Sequence, residues 1–322
     1  MIRMLRALGV ALLVFGVPFA HAQNWPTKVV KIVVPYPPGT GPDIVARAVA
    51  DRLSKNLNQN FIVDNKAGAN AIIGTDSVVK APADGHTLLI ADRLTLAVNP
   101  LLYSPLPYDP RKDLVSISNV SDVNLYLVIN ASVPARTFME FLEYARSNPG
   151  KLAFGSGGNG SVMHLNMEAI QVGANIRMLH VPYKAFAEAL PALVSGTVQV
   201  SSVGVESIIG FVREGRLRLL AVGADKRVTL TPDIPTIVEA GGTPDMLLST
   251  SFSMHARAGA PAAMLEKISA EVQRAMSDGD LRTMLERRGQ TPQGSSPQAL
   301  DAMLEHDAQQ IGRLIRERGI TR

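Results

Sequence analysis

Short runs of β-branched and other apolar residues recur along the chain, most of them followed by a helical pattern. Residues 28–35 read Lys-Val-Val-Lys-Ile-Val-Val-Pro, a composition suited to burial in a parallel sheet, and they are expected to form the first strand. After the loop 36–42, Asp43 stands as a helix N-cap, and Val45, Val49 and Leu53 recur at i, i+4 and i+8, which predicts a helix with one apolar stripe. Strands are expected again at 61–63, 86–91, 125–129, 151–155, 178–181, 198–202 and 217–222, with helices at 137–146, 161–172, 185–193 and 207–213. Strands alternating with helices of about 10–15 residues specify right-handed βαβ units and parallel or mixed sheets, so the fold class is α/β. The end of the chain changes character. After a strand-like run at 251–256, residues 261–278 and 297–318 are helical and charged, and this closing pair has to pack on a sheet begun earlier.

Composition narrows the function. At 322 residues the chain has room for two domains, and 46% hydrophobic against 19% charged residues excludes wholesale disorder. Residues 1–22 carry Arg3 and Arg6, an apolar run at 7–20 and Ala20-His21-Ala22, the three parts of a signal peptide. About 14 apolar residues broken by Pro18 are fewer than the roughly 20 that span a bilayer. Cleavage is expected after Ala22, leaving Gln23 first in a soluble, exported protein. Loss of Arg3 and Arg6 lowers the formal charge from +4 to +2. With no long Lys/Arg run and 5% aromatics, a nucleic-acid partner is excluded. With no Cys there is no disulfide, thiolate metal site, Cys nucleophile or lipid anchor.

Three loops carry the candidate chemistry. The first, at 35–43, places Tyr36, Gly39, Thr40, Gly41 and Asp43 between a strand and a helix. Its glycines allow close backbone approach, and the helix N-terminus favours an anion such as a carboxylate, although an ordinary tight turn reads the same way. No Gly-Lys-Ser/Thr follows, and Ile44 stands where a dinucleotide fingerprint needs a small residue. The second loop, 155–161, has four glycines in six positions together with Ser156, Gly157, Asn159, Gly160 and Ser161, a nest for an anion. His164 lies on the helix it opens and reads either as a base or as a satisfied structural histidine. The third, His180-Val-Pro-Tyr183-Lys184, offers the Tyr183 hydroxyl and the Lys184 charge, or only surface. Arg93, just past the strand at 86–91, sits where an open α/β sheet places its ligand; it either forks to a carboxylate or pairs with Asp92. Catalytic signatures are missing. His-Glu-x-x-His and Gly-x-Ser-x-Gly do not occur, His86, His164, His180, His255 and His306 are scattered, and Ser77-Val-Val-Lys80 lacks the companions of a Ser-x-x-Lys nucleophile. No metal, no cofactor and no enzyme activity are expected.

Seven segments in register now carry a resemblance: Trp25-Pro26; Val34-Pro-Tyr-Pro-Pro-Gly-Thr-Gly-Pro-Asp43; Ala83-Asp-Gly-His-Thr-Leu-Leu89; Asn99-Pro100 with Leu106-Pro-Tyr-Asp-Pro110; Gly155-Ser-Gly-Gly-Asn-Gly-Ser161; His180-Val-Pro-Tyr-Lys184; and Pro232-Asp-Ile-Pro-Thr236. In this order they resemble the Bug family, also called tripartite tricarboxylate transporter solute-binding proteins. The resemblance implies a periplasmic-binding-protein-like fold of type II, two α/β domains with mixed sheets joined by crossing hinge strands. It places domain one at 23–124 plus 252–322 and domain two at 125–251. It further implies a monomeric periplasmic receptor that closes on a small carboxylate, held by backbone amides and waters at the loops 39–43 and 155–161, and that serves a membrane transporter of the tripartite tricarboxylate type. Two departures bear on the ligand. Many relatives carry Ser/Thr and Gly where this chain has Asp92-Arg93. Relatives that take amino acids tend to have an acidic residue where Val203-Gly204-Val205 stands. The expected ligand is therefore an acid without an amine, a dicarboxylate, tricarboxylate or aromatic acid. A ligand-sensing adaptor for a membrane sensor kinase, or an exported enzyme on the same scaffold, would use the same pocket.

Overall fold

The structure, a computed structural model, describes residues 25–321; the expected leader and its cleavage site lie outside the described residues. In chain order the elements are β1 (Val30–Val34), α1 (Gly41–Leu57), β2 (Phe61–Asn65), α2 (Ile72–Val79), β3 (Thr87–Asp92), α3 (Arg93–Leu102), α4 (Pro110–Asp113), β4 (Leu114–Val123) and β5 (Leu125–Asn130). There follow α5 (Phe138–Ser147), β6 (Ala153–Ser156), α6 (Val162–Ala174), β7 (Leu179–Pro182), α7 (Phe186–Ser195), β8 (Val200–Gly204), α8 (Ile209–Arg213) and β9 (Leu217–Gly223). The chain closes with β10 (Thr250–Arg257), α9 (Ala262–Met276), α10 (Gly279–Glu286), β11 (Gln290–Pro292) and α11 (Pro297–Arg318).

Two mixed sheets result, one in the order β11-β4-β10-β3-β1-β2 and the other β7-β6-β8-β5-β9. β1 lies between β2 and β3, parallel to both, as its sequence demands: only Lys31 is exposed, and the four valines and isoleucines are buried. α1 turns Val45, Val49 and Leu53 onto this sheet, all fully buried. Its N-cap is Thr40, in an extended conformation, with Pro42 in the first turn; Asp43, expected to cap the helix, is instead its third residue. The second lobe buries Leu127, Phe138, Phe141, Phe154 and Met167 around β5 and β6.

Among the elements not foreseen from sequence, β4 and α3 bear most on the site. β4 has Ser116, Ser118, Asn119 and Ser121 buried, which hides the apolar alternation of a strand. The segment after α10 serves two of them: the Ser118 hydroxyl donates to the Ser295 carbonyl at 2.8 Å and that of Ser121 to Gln290 Oε1 at 3.0 Å. α3 is buried continuously from Arg93 to Asn99 and has Pro100 inside it, so it shows no amphipathic stripe. The charged stretch at 261–278, expected as one helix, stops at Ser277, and Asp278 caps a separate α10.

The lobes are joined where β4 passes through Asn124 into β5 and where the chain returns into β10. β10 begins at Thr250. Asn124 is buried, and its amide donates to the Gly289 carbonyl at 2.9 Å and to Thr291 Oγ1 at 3.1 Å, which fixes the crossing. Across the seam Leu94 and Val98 of α3 pack with Leu165 and Ala169 of α6 and with Ile311 and Leu314 of α11. No helix of the described residues is long and apolar enough to cross a membrane.

Candidate functional site

Topology brings the glycine loops to the seam. β1 and β3 run parallel, and β10 is antiparallel to both β3 and β4. The C-terminal ends of β1 and β3 therefore point the same way as Val123, where the chain leaves for the other lobe. In the second sheet β6 is parallel to β8, whose last residue Gly204 faces Leu125 just after the crossing. The loops following β1 and β6 thus lie at the ends of their sheets that face the other lobe. Contact is direct at one point, since a Cβ on Gly160 would come within 2.3 Å of Leu102 at the end of α3.

The first loop is tied from beneath. Gly39 adopts φ +79°, a conformation that favours glycine. The Asp43 carboxylate, placed by sequence among the ligand contacts, is buried and turned toward its own loop. Oδ2 accepts from the Gly39 amide at 2.8 Å and from Arg47 Nε at 3.0 Å, and Oδ1 accepts from Asn65 Nδ2 at 2.8 Å. Burial opposes its ionisation, yet these bonds from Arg47, Gly39 and Asn65 hold it below the usual carboxylate range. The Thr40 hydroxyl donates to the Pro37 carbonyl at 2.7 Å. Tyr36 Oη accepts from the Asp92 amide at 3.2 Å, and burial with the nearby Asp92 charge pushes the phenol upward. The amides of Thr40, Gly41 and Asp43 donate to no other described residue.

The second loop rests on histidines. Ser156 is fully buried, accepts from the Gly158 amide at 3.1 Å and contacts His180 Nε2 at 2.7 Å. The His180 ring stacks on Phe154 at 4.8 Å and on His164 at 3.9 Å. Burial first, then the neighbouring His164, lowers His180 to about 4. The Gly160 amide donates to His164 Nδ1 at 3.0 Å. Gly160 is therefore not a free ligand donor, and His164 is the satisfied histidine of the two readings. Ser161 caps α6 through the His164 amide. The amides of Gly157 and Asn159 donate to no other described residue. Tyr183 lies alongside, its amide donating to the Ser156 carbonyl at 3.1 Å. Gly204 ends β8 beside the crossing, but the Val203 side chain packs into the core of the second lobe.

Arg93 points elsewhere. Its Nε lies 3.0 Å from Asp307 Oδ2 of α11, out of hydrogen-bonding geometry, while Asp92 caps α3 and also accepts from Thr250. Burial pushes Asp307 up to about 7 despite Arg93. Both side chains line a cavity of about 1020 Å³ that also involves Asp122, Lys226, Glu239 and His306. Neither glycine loop lines it, so of the residues nominated from sequence it holds only Arg93. The loops present unpaired amides at two helix N-termini, an arrangement that suits an anion; the cavity lining has more carboxylates than cationic side chains. No group of three or more His, Asp or Glu side chains able to hold a metal occurs among the described residues.

His180, Glu168, Arg318 and Asp307 were not nominated from sequence. The i,i+4 spacing of His164 and Glu168 on α6 was the one local signal available.

Two α/β lobes hinged on crossing strands, with amide-rich loops at the seam, make a solute-binding receptor of the periplasmic-binding-protein fold. Sequence comparison is more specific: residues 45–320 match the tripartite tricarboxylate transporter family receptor, and the chain belongs to that family, to the Bug proteins within it. It is 30% identical to Protein BugT of Bordetella pertussis over 321 residues, 99% of this chain and 98% of that one. MatC of Rhodopseudomonas palustris, solved with bound malate, superposes with TM-score 0.77 at 27% identity, covering 90% of this chain and all of that one. Another R. palustris protein, solved with adipate, gives 0.82 at 30% identity, covering 92% and 99%. Family and fold are those of receptors, not of enzymes.

Proposed function

We propose that this protein captures a small carboxylic acid without an amine in the periplasm, between its two lobes, and presents it to a membrane transporter of the tripartite tricarboxylate type. The carrying observation is the pair of glycine-opened helix N-termini, one from each lobe, whose unpaired amides suit carboxylate oxygens. The absence of an ammonium partner supports the amine-free class. The two carboxylates beside the first loop, Asp43 and Asp92, already hold their donors, and Glu206, beyond Gly204, is paired with Arg288. The solved relatives with malate and adipate point the same way. Binding then proceeds by hinge closure, and exclusion of water strengthens each amide contact.

The test is a dye-based thermal shift against dicarboxylates, tricarboxylates, aromatic acids and amino acids. Trp25 is buried against Phe61 and His86 in the first lobe, away from the seam, and does not report closure. An acid at about 100 times its dissociation constant adds roughly 2.7 kcal/mol, a rise of several degrees at about 2–4 °C per kcal/mol. Tighter binding of aspartate or glutamate than of every amine-free acid would contradict the proposed class.

A further inference from the structure

The second loop is supported by a chain of side chains that leaves its own lobe. Because His164 Nδ1 accepts the Gly160 amide, that nitrogen carries no proton, and the ring's N–H is on Nε2. Nε2 faces Glu168 Oε1 one helical turn on, at 3.7 Å, too long for a direct hydrogen bond but close enough for the carboxylate to orient the ring. Glu168 is buried, and Gln171 Nε2 donates to its Oε1 at 2.9 Å. The other oxygen, Oε2, accepts from Arg318 Nε at 2.5 Å. Arg318 lies in the last turn of α11, which packs on α3 and β4 of the first lobe. A buried carboxylate requires such a partner. On its opposite face the His164 ring stacks on His180, which reaches Ser156 and through it the Gly158 amide.

We infer that Arg318, Glu168 and His164 form a positioning chain through which the first lobe holds the anion-binding loop of the second in its binding shape. The inference rests on the proposed seat of the ligand. Arg318 compensates Glu168, Glu168 holds the His164 ring and its tautomer, and His164 draws the Gly160 amide inward. Gly158 and Gly160, at φ +112° and +72°, then leave the Gly157 and Asn159 amides unpaired. Ligand affinity thereby depends on a residue that touches neither loop.

The experiment follows hydrogen exchange of the Gly160 amide in the ligand-free full chain, together with calorimetric affinity for malate or adipate, whichever the protein binds. Arg318→Gln and Glu168→Gln are each expected to speed Gly160 exchange and weaken binding, both by about tenfold, the usual scale of coupling between sites. His164→Asn keeps an acceptor where Nδ1 stands; it is expected to retain Gly160 protection and to make Arg318→Gln without further effect, which a general loss of stability would not do. Unchanged Gly160 exchange in Arg318→Gln overturns the chain. Faster exchange with unchanged affinity overturns its role in binding. If affinity also survives Gly157→Val, the fault lies in the proposed seat of the ligand; if Gly157→Val abolishes binding, it lies in the chain alone.

Discussion

The two glycine loops perform the same task, opening a helix toward the seam, but are held by different chemistry. Beneath the first lies an ionised carboxylate, Asp43, gripped by Arg47, Asn65 and the Gly39 amide. Beneath the second lie two stacked imidazoles and a serine, with the nearest carboxylate one step further out at Glu168. In both, side chains consume glycine amides, that of Gly39 in the first loop and those of Gly158 and Gly160 in the second, while the Thr40, Gly41, Gly157 and Asn159 amides donate to no other described residue. A carboxylate below the first loop repels an anion unless its charge is spent on Arg47; below the second, His180, lowered to about 4 by burial, stays neutral and poses no such difficulty. On the proposed reading, each loop is made receptive by its support rather than by its glycines alone.

The comparison can be broken most severely at Gly157. Its φ is not in the left-handed region and a Cβ there would meet only ordinary contacts, the nearest the Phe186 amide at 3.5 Å, so Gly157→Val keeps the fold while its branched side chain crowds the amide face. Affinity for the cognate acid is expected to fall about a hundredfold, the loss of one or two charge-assisted hydrogen bonds at roughly 1.5–3 kcal/mol each. Gly160→Val does not test this cleanly, because that residue has a positive φ and abuts Leu102.

Next in size is Asp43→Ala. It strands the Gly39 amide and removes one of the two acceptors of Asn65 Nδ2, at a cost of about 1–3 kcal/mol in stability, readable as a lower Tm with weaker binding. Since the Asp43 pKa is depressed in the folded state, its contribution is complete above the ordinary carboxylate value and is lost as pH falls below it. Asp43→Asn is therefore expected to flatten the acid limb of the stability profile below about pH 4.

His180 sharpens the contrast at milder pH. Lowered to about 4 when folded, it stays neutral while the unfolded chain takes up a proton below about 6.5. Stability from this group is full above pH 6.5 and declines as pH falls toward 4. His180→Gln should reduce that slope but not abolish it, because buried His255, also lowered to about 4 by burial, contributes over the same range. An unchanged slope would show that His180 is not held neutral.

The smallest change in affinity is expected at Arg93. Arg93→Met removes the partner of Asp307 in the cavity they both line and should lower Tm while altering acid binding less than twofold. A tenfold loss would move the ligand into that cavity.

Much of this architecture was readable from local patterns. β1 and α1 announce themselves by a β-branched run and an i, i+4, i+8 stripe, and both loops by glycines beside caps. β4 and α3 were not readable, because their buried faces carry Ser116, Ser118, Ser121, Arg93, Thr95 and Asn99, and the partners of Ser118, Ser121 and Arg93 come from segments distant in sequence. The same reason hid the loop supports. Ser156 meets His180 across 24 residues, Glu168 meets Arg318 across 150, and Arg93 meets Asp307 in α11, far along the chain. Glycine placement reveals where a backbone can bind, whereas the orientation of Asp43, Val203 and Arg93 depends on what the fold packs beside them.

Seating of the ligand on backbone amides of both loops is read out by amide NMR of the deuterated chain titrated with the acid that gives the largest thermal shift. The account predicts downfield shifts of the Thr40, Gly41, Gly157 and Asn159 amides, with Gly39 and Gly160 changing little because their donors are already occupied. Shifts confined to residues around Arg93, Lys226 and His306, with both loops silent, would contradict it.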